Sequence, residues 1–275
     1  MTAPALHAAG GSEAGVIDVG VTGIGLLGPG LAGWPAGRAL LRDPAAWLDT
    51  PTAVPAPQRL PATERRRAGA LVKAAVGVAD EALAMAGLAP AALATVFTSS
   101  TGDPLNCHLL CEALAAPERL VSPTRFTNSV HNAAAGYWHI AAASRAPSTS
   151  LAAYDASFGA GLLEAAVQCA ATQAPVLLVA CDLPYPEPLH ALRPVADLFA
   201  TALLLVPAGP GRGLRLWLGP GQAGTACGNA FETLRQAIPS ARALPLLQAL
   251  AQDAAAELCL EGAPGLALQL QVGPP

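Results

Sequence analysis

Apolar positions along this 275-residue chain follow two rhythms. Short apolar runs bounded by Gly, Pro or polar clusters read as buried strands, and apolar residues recurring every three or four positions read as helices. Residues 16–27 form a glycine-punctuated strand region that ends at Gly28-Pro29-Gly30, and 31–41 a short helix. A proline-rich connector spans 50–61. The spacing of Leu71, Ala75, Val78, Ala82 and Met85 predicts one long helix over 64–87, stopped by Gly87. A strand at 95–99 and a helix at 105–115 follow. A helix at 126–144 is ended by Pro147, and a strand at 149–154 enters a helix at 156–171. Later strands are predicted at 175–180, 200–206, 214–218 and 266–272, with a helix at 244–258 between the last two.

This β-α-β-α order with apolar strands predicts an α/β domain, layered, with a mostly parallel mixed central sheet between helices. The expected organisation is a flexible tail at 1–15, a domain at 16–208 and a C-terminal extension at 209–275 packed on the same domain.

Composition narrows the function. The chain is 53% hydrophobic and 12% charged, with a net charge of −4. That suits a well-buried core and argues against nucleic acid as a main partner, which needs clustered Lys and Arg. The dense basic run is Arg65-Arg66-Arg67. It is either a solvated helix end or a contact for an anionic partner such as an acidic carrier protein. No stretch reaches the roughly 18 apolar residues of a membrane span, and residues 1–15 lack the pattern of a signal peptide. The six cysteines form no CxxC pair and no metal-like spacing with His, so reduced thiols in the cytoplasm, with no metal or cofactor, are expected.

Three stretches carry a resemblance: VGVTGIGLLGPG at 19–30, SPTRFTNSVHNAAAGYWHIAAASRAPS at 122–148 and PSTSLAAYDASFGAGLLEAA at 147–166. With APVLLVACD and HALRPVADLFATALLLV, they make the chain from about residue 16 to 206 resemble the N-terminal half of β-ketoacyl synthases. It is most similar to the truncated chain length factors associated with aryl polyene biosynthesis. The resemblance implies a thiolase-like half fold.

In that family the helix after the strand begins at a nucleophilic cysteine, and a gap-free reading puts Asp155 there. A carboxylate cannot carry an acyl thioester, whereas Asp at a helix start is a good N-cap, so Asp155 is expected to cap a degenerate active site. The family's catalytic histidines lie far beyond the nucleophile, and here His190, within HALRP, is the sole histidine after Asp155. The resemblance therefore implies a pseudoenzyme. It would pair as a heterodimer with a catalytic ketosynthase, help shape the acyl tunnel and meet acyl carrier protein through the complex. The implied pairing strand is Thr149, Ser150, Leu151, Ala152 and Ala153, which lacks the charges or proline that block edge pairing. Its composition alone also fits a covered central strand. The implied tunnel gate is Asp103, Asn106, Cys107 and Leu110, at helical spacing.

Two motifs compete. Gly23-Ile24-Gly25-Leu26-Leu27-Gly28 matches the dinucleotide string GxGxxG, but Pro29-Gly30 stands where a helix should run and no acidic residue closes a second strand. Asp155-Ala156-Ser157-Phe158-Gly159 approaches the GxSxG elbow, with Asp182 and His190 following in order. An independent acyl hydrolase or transferase using Ser157 is the alternative function. His131 and His139 are expected to be satisfied by packing and hydrogen bonds, and Gly136 to permit close helix approach.

Overall fold

The computed structural model describes residues 15–221, 224–262 and 265–274. The expected tail at 1–15 lies outside the described residues except for Gly15. In chain order the elements are β1 (Val16–Gly28), β2 (Leu31–Ala32), α1 (Trp34–Arg42), α2 (Ala62–Arg67), α3 (Ala70–Ala86), β3 (Ala94–Thr98), α4 (Pro104–Ala115), α5 (Pro123–Thr127) and α6 (Ala133–Ala142). They continue with β4 (Ser148–Leu151), α7 (Ser157–Thr172), β5 (Val176–Asp182), α8 (Leu189–Leu192), β6 (Phe199–Pro207), β7 (Arg212–Pro220), α9 (Glu232–Ala237), α10 (Leu244–Gln252), β8 (Ala256–Glu261) and β9 (Leu266–Val272).

One mixed sheet runs β4-β3-β5-β6-β1-β7-β9-β8, with β2 paired to β1. The layered α/β class stands, but the share of parallel pairing is smaller than expected. Only β3–β4 and β3–β5 are parallel, and every later pairing is antiparallel. Residues beyond 208 supply β7, β8 and β9, which prolong this sheet antiparallel from β1.

Helices cover both faces. Along β5, Val176, Leu178 and Ala180 face one core with Phe158, Phe199 and Phe231, while Leu177, Val179 and Cys181 face the other with Trp138 and the apolar stripe of α3. The alternation is the two-residue period of a strand buried on both sides. Gly23 and Gly25, part of the nominal dinucleotide string, lie inside β1. A Cβ on Gly25 would stand 1.9 Å from the Val78 carbonyl oxygen, and one on Gly23 2.1 Å from that of Ala82. These glycines exist so that α3 can lie directly on the strand.

Three predicted helices are divided. The one expected at 64–87 breaks at Ala68-Gly69, both extended, because Asn128 Nδ2 caps the Arg67 carbonyl at 3.1 Å and a Cβ on Gly69 would meet Asp103 Oδ2 at 2.6 Å. The one at 126–144 splits around Asn128, whose Oδ1 accepts from the Tyr137 hydroxyl at 3.1 Å. Asn side chains compete with helical backbone bonding in this way. The one at 244–258 stops at Asp253, left-handed at φ 53°, and strand β8 follows. Gly136 is exposed with open space beside it, so no close helix approach depends on it.

Gly25→Ala is expected to lower unfolding stability by roughly 3 kcal/mol, because the added methyl meets backbone rather than a side chain that can move. Urea unfolding measures it, and a loss below about 0.5 kcal/mol would show that α3 does not depend on this contact.

Candidate functional site

Ligand sites in sheets of this class gather at the carboxyl ends of the parallel strands. Here the ends of β3, β4 and β5 deliver residues 99–102, 152–156 and 182–184 to one region. β4 leads through Tyr154, held in the left-handed region at φ 54°, and a 3-10 turn at Tyr154–Ala156 into α7. Ser157 closes this turn: its Oγ donates to the Tyr154 carbonyl at 2.7 Å and accepts from Ala153 N–H at 3.0 Å. Thr98 Oγ1 donates to the Ser157 carbonyl at 2.8 Å, tying the helix start to β3.

Asp155 does not cap α7; Ala156 holds the cap position and makes no side-chain bond. The carboxylate turns outward instead and accepts from Arg193 Nη2 at 2.8 Å, with Arg242 Nη2 at 3.8 Å. An outward carboxylate beside two guanidinium groups gains more from them than from the short dipole of the helix start. Arg193 also lies over the Tyr154 ring, 3.5 Å from its centroid, and donates to Ser100 Oγ at 2.8 Å. Its planar fork thus joins the ends of β3 and β4.

On one side the network reaches Asp182, which is fully buried at the end of β5. Its Oδ1 accepts from Ser99 Oγ, Ser100 N–H, Thr101 N–H and Thr101 Oγ1 at 2.7–3.2 Å. On the other side Arg242 Nη1 meets Glu261 at 2.6 Å, and Arg235 Nη1 meets the same carboxylate at 2.8 Å. Arg235 then grips Glu232 with two bonds of 2.8 and 2.9 Å. The Arg235 hydrogen bonds hold the Glu232 carboxyl down to about 2. Burial, with Glu232 close by, pushes the Cys227 thiol up to about 12.

The Ser157 alternative does not assemble. Ser157 is 1% exposed with its hydroxyl spent in the turn, Asp182 is committed to residues 99–101, and His190 sits in α8, where its backbone N–H donates to the Pro186 carbonyl and, among the described residues, it bonds to neither. The hydroxyl that would attack is structural. His131 Nε2 contacts the Ser99 carbonyl and His139 Nδ1 that of Ser144, each at 3.0 Å, as expected. Among the described residues, no group of three or more His, Cys, Asp or Glu is placed to hold a metal, and no helix is long and apolar enough to cross a membrane.

The gate residues divide. Asp103 caps α4 by accepting from Asn106 N–H at 3.1 Å, Asn106 is buried and donates to the Arg125 carbonyl at 2.9 Å, and Leu110 is buried. Cys107 faces solvent beside Cys111. Thr149, Ser150 and Leu151 fall in β4, the terminal strand of the sheet, and Ala152 and Ala153 continue it towards the turn. Arg193, Arg235, Arg242 and Glu261 are site residues the sequence pattern did not single out. In a chain with 15 Lys and Arg, an arginine inside an apolar string, as Arg242 is in SARALPLLQAL, is the signal that could have found it.

The mixed sheet between helices, with its terminal strand β4 turning sharply into α7, has the thiolase-like fold. The model for the β-ketoacyl synthase N-terminal domain matches residues 40–262, and the chain belongs to that family. Among solved structures, a chain of the ketosynthase (ApeO) in complex with its chain length factor (ApeC) from Xenorhabdus doucetiae is similar at 23% identity and TM-score 0.72, over 93% of this chain and 99% of that one. The ishigamide ketosynthase/chain length factor is similar at 15% identity and TM-score 0.68, over 93% and 99%. A type II polyketide synthase complex of acyl-carrier protein with its ketosynthase, AntDE:AntF, gives 11%, 0.72, and 94% and 100%. At these identities the likeness establishes the fold. No curated protein matches the chain.

With a folded value near 2 against an ordinary 4.5, Glu232 contributes stability that is complete above pH 4.5 and lost as pH falls towards 2. Glu232→Gln is expected to flatten the fall in urea midpoint between pH 5 and pH 2 relative to the parent; parallel curves would show the pair is not formed.

Proposed function

We propose that this chain is the non-catalytic, chain-length-factor-like subunit of a heterodimeric condensing enzyme of the polyene, fatty-acid or polyketide type, aryl polyenes included. The observation that carries the reading is Asp155 held by Arg193 at 2.8 Å at the turn where the family's chemistry needs a thiolate. A carboxylate in that pair neither holds an acyl thioester nor acts as an effective base. The chain's contribution is therefore shape and contact, supplied to a catalytic ketosynthase.

The geometry of β4 supports pairing. Thr95 N–H donates to the Pro147 carbonyl and Ser99 N–H to that of Leu151, so the backbone groups of Ser148 and Ser150, in alternation, point away from the sheet. Among the described residues no strand covers that edge. Helices on the two faces of the sheet leave Ile140 and Val167 exposed, 52% and 43%. The outer face of α4, with Cys107, Cys111 and Leu114 all exposed, is the surface offered to a partner's tunnel; Asp103, Asn106 and Leu110 hold that helix in place behind it. Arg66, Arg67 and Arg125 line a cavity of about 450 Å³, a basic surface suited to an acidic carrier protein.

Co-expression with a ketosynthase from the same gene neighbourhood tests the pairing. The two chains are expected to elute together and to elongate acyl chains only together. Ser150→Pro, which removes an outward N–H without costing a β3–β4 bond, is expected to abolish co-elution while leaving circular dichroism unchanged. Separate elution of the parent chains, with the ketosynthase working unchanged alone, would sink the reading.

A further inference from the structure

A second charged cluster lies at the far end of α10 from Asp155. The helix starts beyond Arg242 and its nine residues carry the chain about 13 Å to Asp253, which is left-handed at φ 53°. Three arginines converge on the Asp253 carboxylate: Arg38 and Arg42 from α1, one helical turn apart, and Arg212 from the start of β7. Arg38 Nη2 donates to Oδ2 at 2.7 Å, Arg42 Nη2 bonds to the same oxygen, and Arg212 Nη1 stands 4.0 Å from Oδ1. We propose that this cluster binds a phosphate dianion, free or as a monoester, on its solvent side. The site uses neither the β4 edge nor the turn at Asp155, so it goes beyond the pairing role and stands or falls apart from it.

Charge is the first argument. Three guanidinium groups share one carboxylate, a surplus of two positive charges in a chain whose net charge is −4. Asp43 follows Arg42 in sequence but forms no ion pair among the described residues. The end of α10 compensates only in part. Arg42 Nε donates to the Ala251 carbonyl and Arg212 Nη2 to that of Ala254 at 2.6 Å, and a helix C-terminus carries roughly half a negative charge. Arg212 is the second, independent observation. Its side chain is 9% exposed, and its Nε and Nη1 are buried with no hydrogen-bond partner among the described residues. A buried guanidinium short of acceptors is costly, and Asp253 is drawn off by the other two arginines. The shielded nitrogens of Arg212 do not touch the ligand; their uncompensated charge acts on it from below. Contact falls to Arg38 and Arg42, whose side chains are 40% and 46% exposed. Each guanidinium has five N–H donors, more than Asp253 and Ala251 use. Two planar forks on one helix face suit the oxygens of a tetrahedral anion, and a dianion, unlike a carboxylate, balances a surplus of two.

The test titrates the full chain calorimetrically at pH 8 and constant ionic strength, with inorganic phosphate for the free ion and glycerol 3-phosphate for a phosphoryl group on a larger molecule. Saturable binding of one anion per chain is expected, and the tighter probe names the source. Acetate at the same ionic strength is expected to bind about fivefold more weakly, and Arg38→Gln to weaken phosphate by about the same factor. The thermal midpoint of Arg38→Gln without phosphate is expected to move little, because exposed ion pairs contribute little to stability. Asp253→Asn has the opposite sign. Asn tolerates the left-handed backbone, so the fold is kept, and loss of the competing carboxylate is expected to tighten phosphate about threefold. A cluster that only ties α1 and β7 to the end of α10 predicts instead that Asp253→Asn costs stability and leaves anion binding unchanged. Equal response to acetate and phosphate, indifference to Arg38→Gln, or unchanged or weaker binding by Asp253→Asn overturns the proposal.

Discussion

The hydroxyl of Ser157 closes the turn between β4 and α7, and most of the candidate site follows from that closure. By bonding to both Ala153 and Tyr154 it holds Tyr154 in the left-handed region and sends the next side chain, Asp155, away from the helix. Once outward, the carboxylate meets Arg193 and Arg242 rather than the backbone amides of α7. Arg193 is fixed in turn by stacking on Tyr154 and by the Ser100 hydroxyl, which belongs to the loop that Asp182 organises. Members of a partly buried hydrogen-bonded network of this kind depend on one another.

The same network ties the later strands to the turn before α7. Residues beyond 208 do more than lengthen the sheet. Arg235 and Arg242, from α9 and the turn that precedes α10, converge on Glu261 of β8, and Arg242 also approaches Asp155. These charges join the residues beyond 208 to the strand-to-helix turn. Attraction between such partly buried groups only offsets their desolvation, so the gain is a defined geometry more than added stability.

The sequence made the elements legible where local patterning and tertiary packing agree. Strands β1, β3, β5, β6, β7 and β9 and the turn before α7 were all readable from apolar runs and the family strings. It misled where one side chain overrides periodicity. Asn128 holds two helices broken at once, and no helical spacing announces that, because its partners Arg67 and Tyr137 lie 61 and 9 residues away. Strand β8 was absorbed into a helix because Leu258 continues the apolar rhythm past Asp253. The charged site was hidden for a related reason: Asp155, Arg193, Arg242 and Glu261 come from four separate elements, and only the folded chain brings them together.

The outward-facing amides and carbonyls of Ser148 and Ser150 make the abundance of this chain a matter of stoichiometry. An uncovered strand edge adds to any complementary strand, copies of itself included, so molecules whose edge stays open are exposed to self-association. Binding of a partner to the folded form alone also raises its stability by mass action. Under the proposed pairing, a covered edge and the mass-action gain act together, so the lifetime of this chain would follow the supply of what covers it.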